Sequence, residues 1–200
     1  MVDEDPLVTV YHDDVARCHN NLGVYQYLLG QHAAALANYQ DAVRIREKLI
    51  RDNPTVVSYQ SDLVRNLGSL AGLLKILGDS QGAIVYYEKA TSILDSIIRN
   101  HPEMAEYQSE KSRLLNDLAI TLYHSGDANG AITQMQESID VVEQLLLTQP
   151  EITRYREKIS SPRLNLGTIL FEQGDSQAAV LVFEKVLEEK IAILKKSERE

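Results

Sequence analysis

"PTVVSYQSDLVRNLGSLAGLLKILGDSQGAIVYYEKATSILDSIIRN", residues 54–100, decides the fold. In its first half Val56, Tyr59, Leu63, Leu67, Leu70 and Leu74 fall at steps of three and four, which puts apolar side chains on one face of a helix. In its second half Ala83, Tyr87, Ala90, Leu94 and Ile97 do the same. Between the halves, Gly78 suits the left-handed conformation that closes a helix, and Asp79 suits the capping of the free amides of the next. The stretch reads as two helices joined by a tight turn. Pro54 has no N–H and suits the first turn of the leading helix, where amides lack partners anyway.

The same unit recurs along the chain. Pro6, Pro54, Pro102 and Pro150 lie 48 residues apart, and Tyr11, Tyr59, Tyr107 and Tyr155 keep that step. So do Leu22, Leu70, Leu118 and Leu166, then Gly30, Gly78, Gly126 and Gly174, then Ala35, Ala83, Ala131 and Ala179. Gly126-Asp127 and Gly174-Asp175 repeat the stop-start pair, while Gly30-Gln31 keeps only the stop. A period of this size implies a solenoid, in which each unit buries its apolar face against its neighbours. The expectation is an all-α array of four antiparallel helix pairs over residues 1–200, with repeats at about 6–53, 54–101, 102–149 and 150–200. The tyrosine column is expected to fill the joint between successive pairs, with a hydrogen-bond partner for each buried hydroxyl. A ladder of ligand-binding tyrosines is the alternative.

Pro162 is off the beat, opposite Cys18, Asn66 and Leu114 in the other repeats. An interior proline removes a backbone hydrogen bond and clashes with the preceding turn, costing about 3 kcal/mol. This predicts a break at Ser160-Ser161, with a serine capping the restarted helix.

Composition excludes several classes of function. A net charge of −9 argues against general nucleic-acid binding, which needs a basic footprint. No stretch approaches the roughly 20 apolar residues of a membrane span. "MVDEDPLV" lacks the basic and apolar regions of a signal peptide. The single cysteine, Cys18, has no internal disulfide partner, so a reducing cytoplasm is the expected location.

Reactive constellations do not emerge. His12, His19, His32, His101 and His124 lack metal-ligand spacing; His12 and His19 flank Cys18 on one helical face without completing a site. Ser80, in "GDSQG", occupies an inter-helix turn with no histidine-and-acid arrangement. Asp13-Asp14 and Glu188-Glu189 are adjacent residues that point different ways from a helix. The reading is a non-enzyme with no metal and no cofactor.

The residue pattern resembles the tetratricopeptide repeat family. The family's signature stands as Leu22, Gly23, Gly30, Ala35, Tyr39 and Ala42; then Leu70, Ala71, Gly78, Ala83, Tyr87 and Ala90. The third copy is Leu118, Ala119, Gly126, Ala131, Met135 and Ser138, and the fourth Leu166, Gly167, Gly174, Ala179, Phe183 and Val186. The family's usual unit has about 34 residues, so each helix here is about two turns longer. Its early tryptophan position holds His19, Leu67, Leu115 and Arg163. The long unit is similar to arrays attached to bacterial serine/threonine protein kinases, although no kinase motif occurs in the chain.

The resemblance implies a right-handed superhelix whose first helices line a concave groove for a peptide or partner helix. Carried onto this register, the groove rows are Arg17, Arg65, Arg113 and Ser161; Asn20, Gly68, Asn116 and Leu164; Val24, Gly72, Ile120 and Thr168; and Tyr27, Lys75, Tyr123 and Phe171. The arginine row suits an acidic or phosphorylated peptide. Alternatively, each arginine pairs within the array, to Asp14, Asp62 or Glu110 at one turn's distance. Gly68 and Gly72 each cost roughly 1 kcal/mol against alanine in a helix, which either tight packing or the close approach of a ligand backbone would offset.

Partners are therefore expected to be protein or peptide, with neither nucleic acid nor membrane. Two other readings stand beside the groove: a structural or oligomerisation module, and a regulatory appendage of a kinase encoded elsewhere. Tyr11 has no upstream pair to pack against, and Leu187, Ile191 and Leu194 form an apolar stripe at the end of the last repeat with no polar capping helix after it. That predicts end-to-end self-association or the continuation of a longer array.

Overall fold

Gly78 and Asp79 act as their chemistry requires in the computed structural model, which describes residues 6–149 and 152–197. Gly78 takes φ 85°, as Gly30, Gly126 and Gly174 take 73°, 97° and 90°. The Asp79 amide reaches back to the Leu74 carbonyl at 2.9 Å and the Gly78 amide to Lys75 at 3.1 Å, satisfying the last carbonyls of the helix. Asp79 Oδ1 then accepts from the Gly82 amide at 2.9 Å. Asp127 and Asp175 cap in the same way, from Gly130 and Ala178, whereas Gln31 makes no side-chain cap.

Among the described residues the chain forms helices α1 (Pro6–Leu28), α2 (His32–Asp52), α3 (Val57–Ile76), α4 (Ser80–Asn100), α5 (Ala105–His124), α6 (Ala128–Thr148), α7 (Thr153–Lys158), α8 (Ser160–Glu172) and α9 (Ser176–Ser197), and no strand. They fall into two compact units, Met1–Pro102 and Glu103–Glu200. In the first, α1 packs on α2, α2 on α3 and α3 on α4. In the second, α5 packs on α6, α6 on α7 and α8, and α8 on α9.

The apolar stripes become the cores. In the first unit Ala35, Tyr39, Ala42 and Leu49 of α2 are buried with Leu63, Leu67, Leu70 and Leu74 of α3 and Ala83, Tyr87, Ala90, Leu94 and Ile97 of α4. In the second, Met135, Ile139, Val142 and Leu145 of α6 pack with Tyr155, Ile159, Leu166 and Ile169. Burying each leucine or isoleucine contributes about 1.5–3 kcal/mol. Gly23 admits the Tyr39 ring, which a Cβ would meet at 2.7 Å.

The prolines need a correction. Pro54 does not open α3; it sits in a turn closed by the Val56 amide on the Asn53 carbonyl at 3.2 Å, and α3 starts at Val57. Proline's fixed φ suits that second turn position as well as it suits a helix start. Pro102 likewise lies in a turn ahead of α5, whereas Pro6 does begin α1. Pro150 lies outside the described residues.

In the tyrosine column Tyr155 behaves as a joint to the preceding pair, while Tyr59 and Tyr107 are partly buried. Tyr155 is 1% exposed, packs in the cluster with α6, and donates to Gln149 Oε1 at 3.5 Å. Tyr11, with no described pair before it, is 64% exposed.

Pro162 does break the helix, but at Ile159, one residue earlier than expected. The serine cap is also not formed: Ser160 and Ser161 are the first residues of α8, and Ile159 precedes it with helical dihedrals and no side-chain cap. The Arg163 amide still reaches the Ile159 carbonyl at 3.3 Å, while Pro162 has no N–H to offer Lys158.

Candidate functional site

The four rows expected from the register lie on α1, α3, α5 and α8. Within each unit the two first helices touch directly, α1 with α3 and α5 with α8.

The arginine row resolves in favour of internal pairing. Arg17 Nη2 lies 2.6 Å from Asp13 and 3.4 Å from Asp14; Arg65 lies 2.8 Å from Asp62. Arg113 holds Glu110 at 2.6 Å and Asp117 at 2.9 Å. All three remain exposed, yet each guanidinium is already engaged on its own helix. The hydrogen bond that Arg17 donates to Asp13, reinforced by the carboxylate's charge, raises the Arg17 pKa above its ordinary value.

Behind Arg17 and Arg65 lies a residue that the register did not single out. Arg46 of α2, 2% exposed, bonds Asp13 Oδ1 and lies 3.1 Å from Asp62 Oδ2. The result is a continuous chain, Arg17–Asp13–Arg46–Asp62–Arg65, across α1, α2 and α3. The second unit has a counterpart in Arg163 of α8, 3% exposed, which bonds Glu143 of α6 and Glu189 of α9. Burial pushes the Glu143 carboxyl up, but hydrogen bonds from Lys185 and Arg163 outweigh it and hold it below the ordinary value. The signal for Arg46 was a charge in a column that holds Leu94 and Val142 in the next two repeats, although Lys190 in the fourth weakens it.

The asparagine row ties first helices together. Asn66 Nδ2 donates to Asn20 Oδ1 at 2.7 Å in the first unit, and Asn165 Nδ2 donates to Asn116 Oδ1 at 2.9 Å in the second. Gly68 and Leu164 complete that row, partly buried and exposed respectively. In the next row Val24, Gly72 and Ile120 are partly buried and Thr168 is exposed. A Cβ on Gly72 would meet only the Tyr87 hydroxyl, at 3.7 Å, so packing does not demand glycine there. In the last row Tyr27 stacks obliquely on His32 at 5.8 Å, and Lys75 is partly buried. Tyr123 donates its hydroxyl to Glu172, which raises the phenol's pKa, and Phe171 is 62% exposed.

The rows meet a real cavity in the second unit. A pocket of about 290 Å³ opens between α5 and the α7–α8 break, lined by Arg113, Asn116 and Ser161 from the rows. Ser109, Ser112, Lys158 and Pro162 complete its wall, and the register had not selected them. For Ser112 the signal was polarity, since it shares a column with Ala16, Val64 and Ser160 and is buried, and for Pro162 it was the break in register. Its hydrogen bonding can be assigned. Ser138 donates to the Ser112 carbonyl at 2.7 Å, so the 2.9 Å contact between the hydroxyls is Ser112 donating to Ser138. Lys158 Nζ donates to the Ser109 hydroxyl.

Among the described residues no group of histidines, cysteines and acids is disposed to hold a metal ion, and no helix is long and apolar enough to cross a membrane. The free thiol of Cys18 is exposed.

Comparison with curated proteins gives no match. Among solved structures, the chain is similar to BtubC from P. vanneervenii, with TM-score 0.71 and 17% identity over 96% of this chain and 67% of that one. It is similar to apo RapI, with TM-score 0.70 and 14% identity over 99% of this chain and 61% of that one. A third is the Rap conjugation gene regulator of plasmid pLS20, solved with the Phr* peptide, with TM-score 0.59 and 14% identity over 96% of this chain and 45% of that one. The chain thus spans less than two thirds of the latter two. These likenesses establish the fold class as all-α, built from solenoid-type helix pairs. One tetratricopeptide repeat model matches residues 15–54 and 113–148, and a second matches 64–93 and 161–190. Together these matches span more than half of the chain, one in each helix pair, and the chain belongs to the tetratricopeptide repeat family.

Proposed function

We propose that the chain is a protein-interaction scaffold whose four helix pairs form one array and whose first helices hold an extended peptide or a partner helix. The observation that carries this reading is the pocket on the row residues Arg113, Asn116 and Ser161, where α5 and α8 leave space instead of packing shut. Its volume, about 290 Å³, suits one or two side chains of a polymer better than a free-standing ligand, whose pockets run from about 300 to 1,000 Å³. Phe171, exposed on the same helix as Ser161, offers an aromatic anchor. The pLS20 regulator holds the Phr* peptide on a similar fold. That binding is the regulator's own, and it supports here a peptide as the class of partner.

Site-specific photo-cross-linking tests the proposal. A photoreactive side chain at Tyr27, Tyr123 or Phe171 should capture the same partner from a lysate, and one at Ser92, exposed on α4, should not. Equal capture from Ser92 would exclude the rows as the working surface.

A second reading rests on α1. Its face carrying Val15, Leu22 and Tyr25 is 44%, 48% and 65% exposed, whereas the corresponding Leu63, Leu70 and Leu73 of α3 are at most 3% exposed. Helix α3 is packed by both α2 and α4, whereas α1 is packed by α2 and only lightly by α3. The face of α1 is therefore built to receive a further helix pair, from a second copy or from more repeats. On α9, Leu187, Ile191 and Leu194 are 60%, 41% and 61% exposed. A molecular mass by light scattering that rises with concentration, and falls to the monomer in Leu22→Ser, is the expected result for association between copies.

A further inference from the structure

The fourth repeat inverts a charge pattern that the first three keep. One turn before each row-one arginine stands an acid, as Asp14 before Arg17, Asp62 before Arg65 and Glu110 before Arg113. In the fourth repeat the acid's place is taken by Lys158 and the arginine's by Ser161. The self-neutralising pair is thus replaced by a single cation. The change falls where Pro162 has interrupted the helix and the pocket has opened, and both Lys158 and Ser161 line that pocket.

The donors converge. Lys158 has no carboxylate partner among the described residues; its ammonium uses one of three N–H groups on the Ser109 hydroxyl. Asn116 spends its carbonyl oxygen on Asn165, which leaves its amide N–H groups for the pocket. Ser161 is exposed and lines the pocket. Arg113 also faces the space, but Glu110 and Asp117 already hold it, and neither acid lines the pocket.

From this placement we infer that the pocket is a carboxylate subsite, taking an aspartate or glutamate side chain of the bound peptide between Lys158, Asn116 and Ser161. The inference rests on the groove reading and narrows its ligand. One uncompensated cation matches one negative charge. A phosphate dianion would need Arg113 as a second cation, and Arg113 is released only by breaking two ion pairs.

Amide-resolved NMR titration of the whole chain tests it, with capped tetrapeptides that differ only in carrying glutamate, glutamine or phosphoserine. The glutamate peptide should shift the Asn116 side-chain amide and the backbone amides of Lys158 and Ser161, and bind about fivefold more tightly than the glutamine peptide, the worth of one partly screened charge contact. That preference should vanish in Lys158→Met and survive in Lys158→Arg, and it should shrink as salt rises. Equal binding of the glutamate and glutamine peptides, with shifts still on α5 and α8, would overturn the carboxylate subsite and leave the groove standing. Shifts from no peptide on either helix would overturn both. Tighter binding of phosphoserine than of glutamate would overturn the choice of carboxylate.

Discussion

Arg46 and Asp62 meet at 3.1 Å beneath the surface of the first unit, and the other oxygen of Asp62 is held by the exposed Arg65 at 2.8 Å. Asp13 is shared in the same way between Arg46 and Arg17. The surface arginines therefore terminate a network whose centre is buried, and the contribution of each member follows its depth.

Arg46→Ala should destabilise the protein by about 3 kcal/mol, the lower end for breaking a buried pair, because Arg17 and Arg65 still partner the two carboxylates. Arg17→Ala and Arg65→Ala should each cost less than about 1 kcal/mol. Urea denaturation of the three variants checks the order. A loss at Arg46 no larger than at Arg65 would mean the network is solvated throughout.

Glu143 sets an acid dependence. Its carboxyl is held below its ordinary value in the folded state, so the unfolded chain binds its proton more readily. The stability it contributes is present above the unfolded value and is lost as pH falls through the depressed folded value. Melting temperatures of the parent should drop more steeply with acidification in that window than those of Glu143→Gln. Parallel curves would show that Lys185 and Arg163 do not discriminate the charged form.

Two glycines on first helices should respond in opposite directions. Gly72→Ala places its methyl group in ordinary contact with the Tyr87 hydroxyl, at 3.7 Å, and should gain about 1 kcal/mol of helix propensity. Gly23→Ala drives a Cβ to 2.7 Å from the buried Tyr39 ring, so overpacking should outweigh that gain and leave a net loss of about 1 kcal/mol. Chemical denaturation of both decides it. If Gly72→Ala is more stable but releases a partner captured at Tyr27, close backbone approach explains the glycine.

Pro162→Ala restores an N–H in register with the Lys158 carbonyl. It should raise stability by about 1 kcal/mol, the hydrogen bond and relieved clash outweighing the small loss of buried side chain. An unchanged melting temperature would place the origin of the break elsewhere in the 153–161 segment.

Legibility followed the range of the interactions. Gly78 and Asp79 were readable because a left-handed glycine and a capping carboxylate act within a few residues of themselves. The core columns were readable because Leu70 and Leu118 repeat one environment. Pro54 misled because a fixed φ serves a turn as well as a helix start, and nothing local separates the two. For Arg65 the partner Asp62 was in view; for Arg17 the register offered Asp14, whereas Asp13 lies closer, and Arg46, whose role depends on three helices meeting, was not in view. Arg163 stood out as a departure from the family pattern; its two glutamates, 20 residues before and 26 after it, did not. The pocket was hidden because Pro162 announces a break without saying what space the break leaves.

The interruption at Ile159 also divides the fourth repeat in time. The α7 segment has six residues, too few for a helix to persist by its own hydrogen bonds. Its attachment falls on Tyr155 and on Ile159 next to it, both 1% exposed against α6. Hydrogen exchange should therefore find the α7 amides opening well before those of α8, although the two follow one another in the chain. Lys158 rides on that early-opening turn, so a ligand that engages it would register first as slowed exchange in residues 153–158.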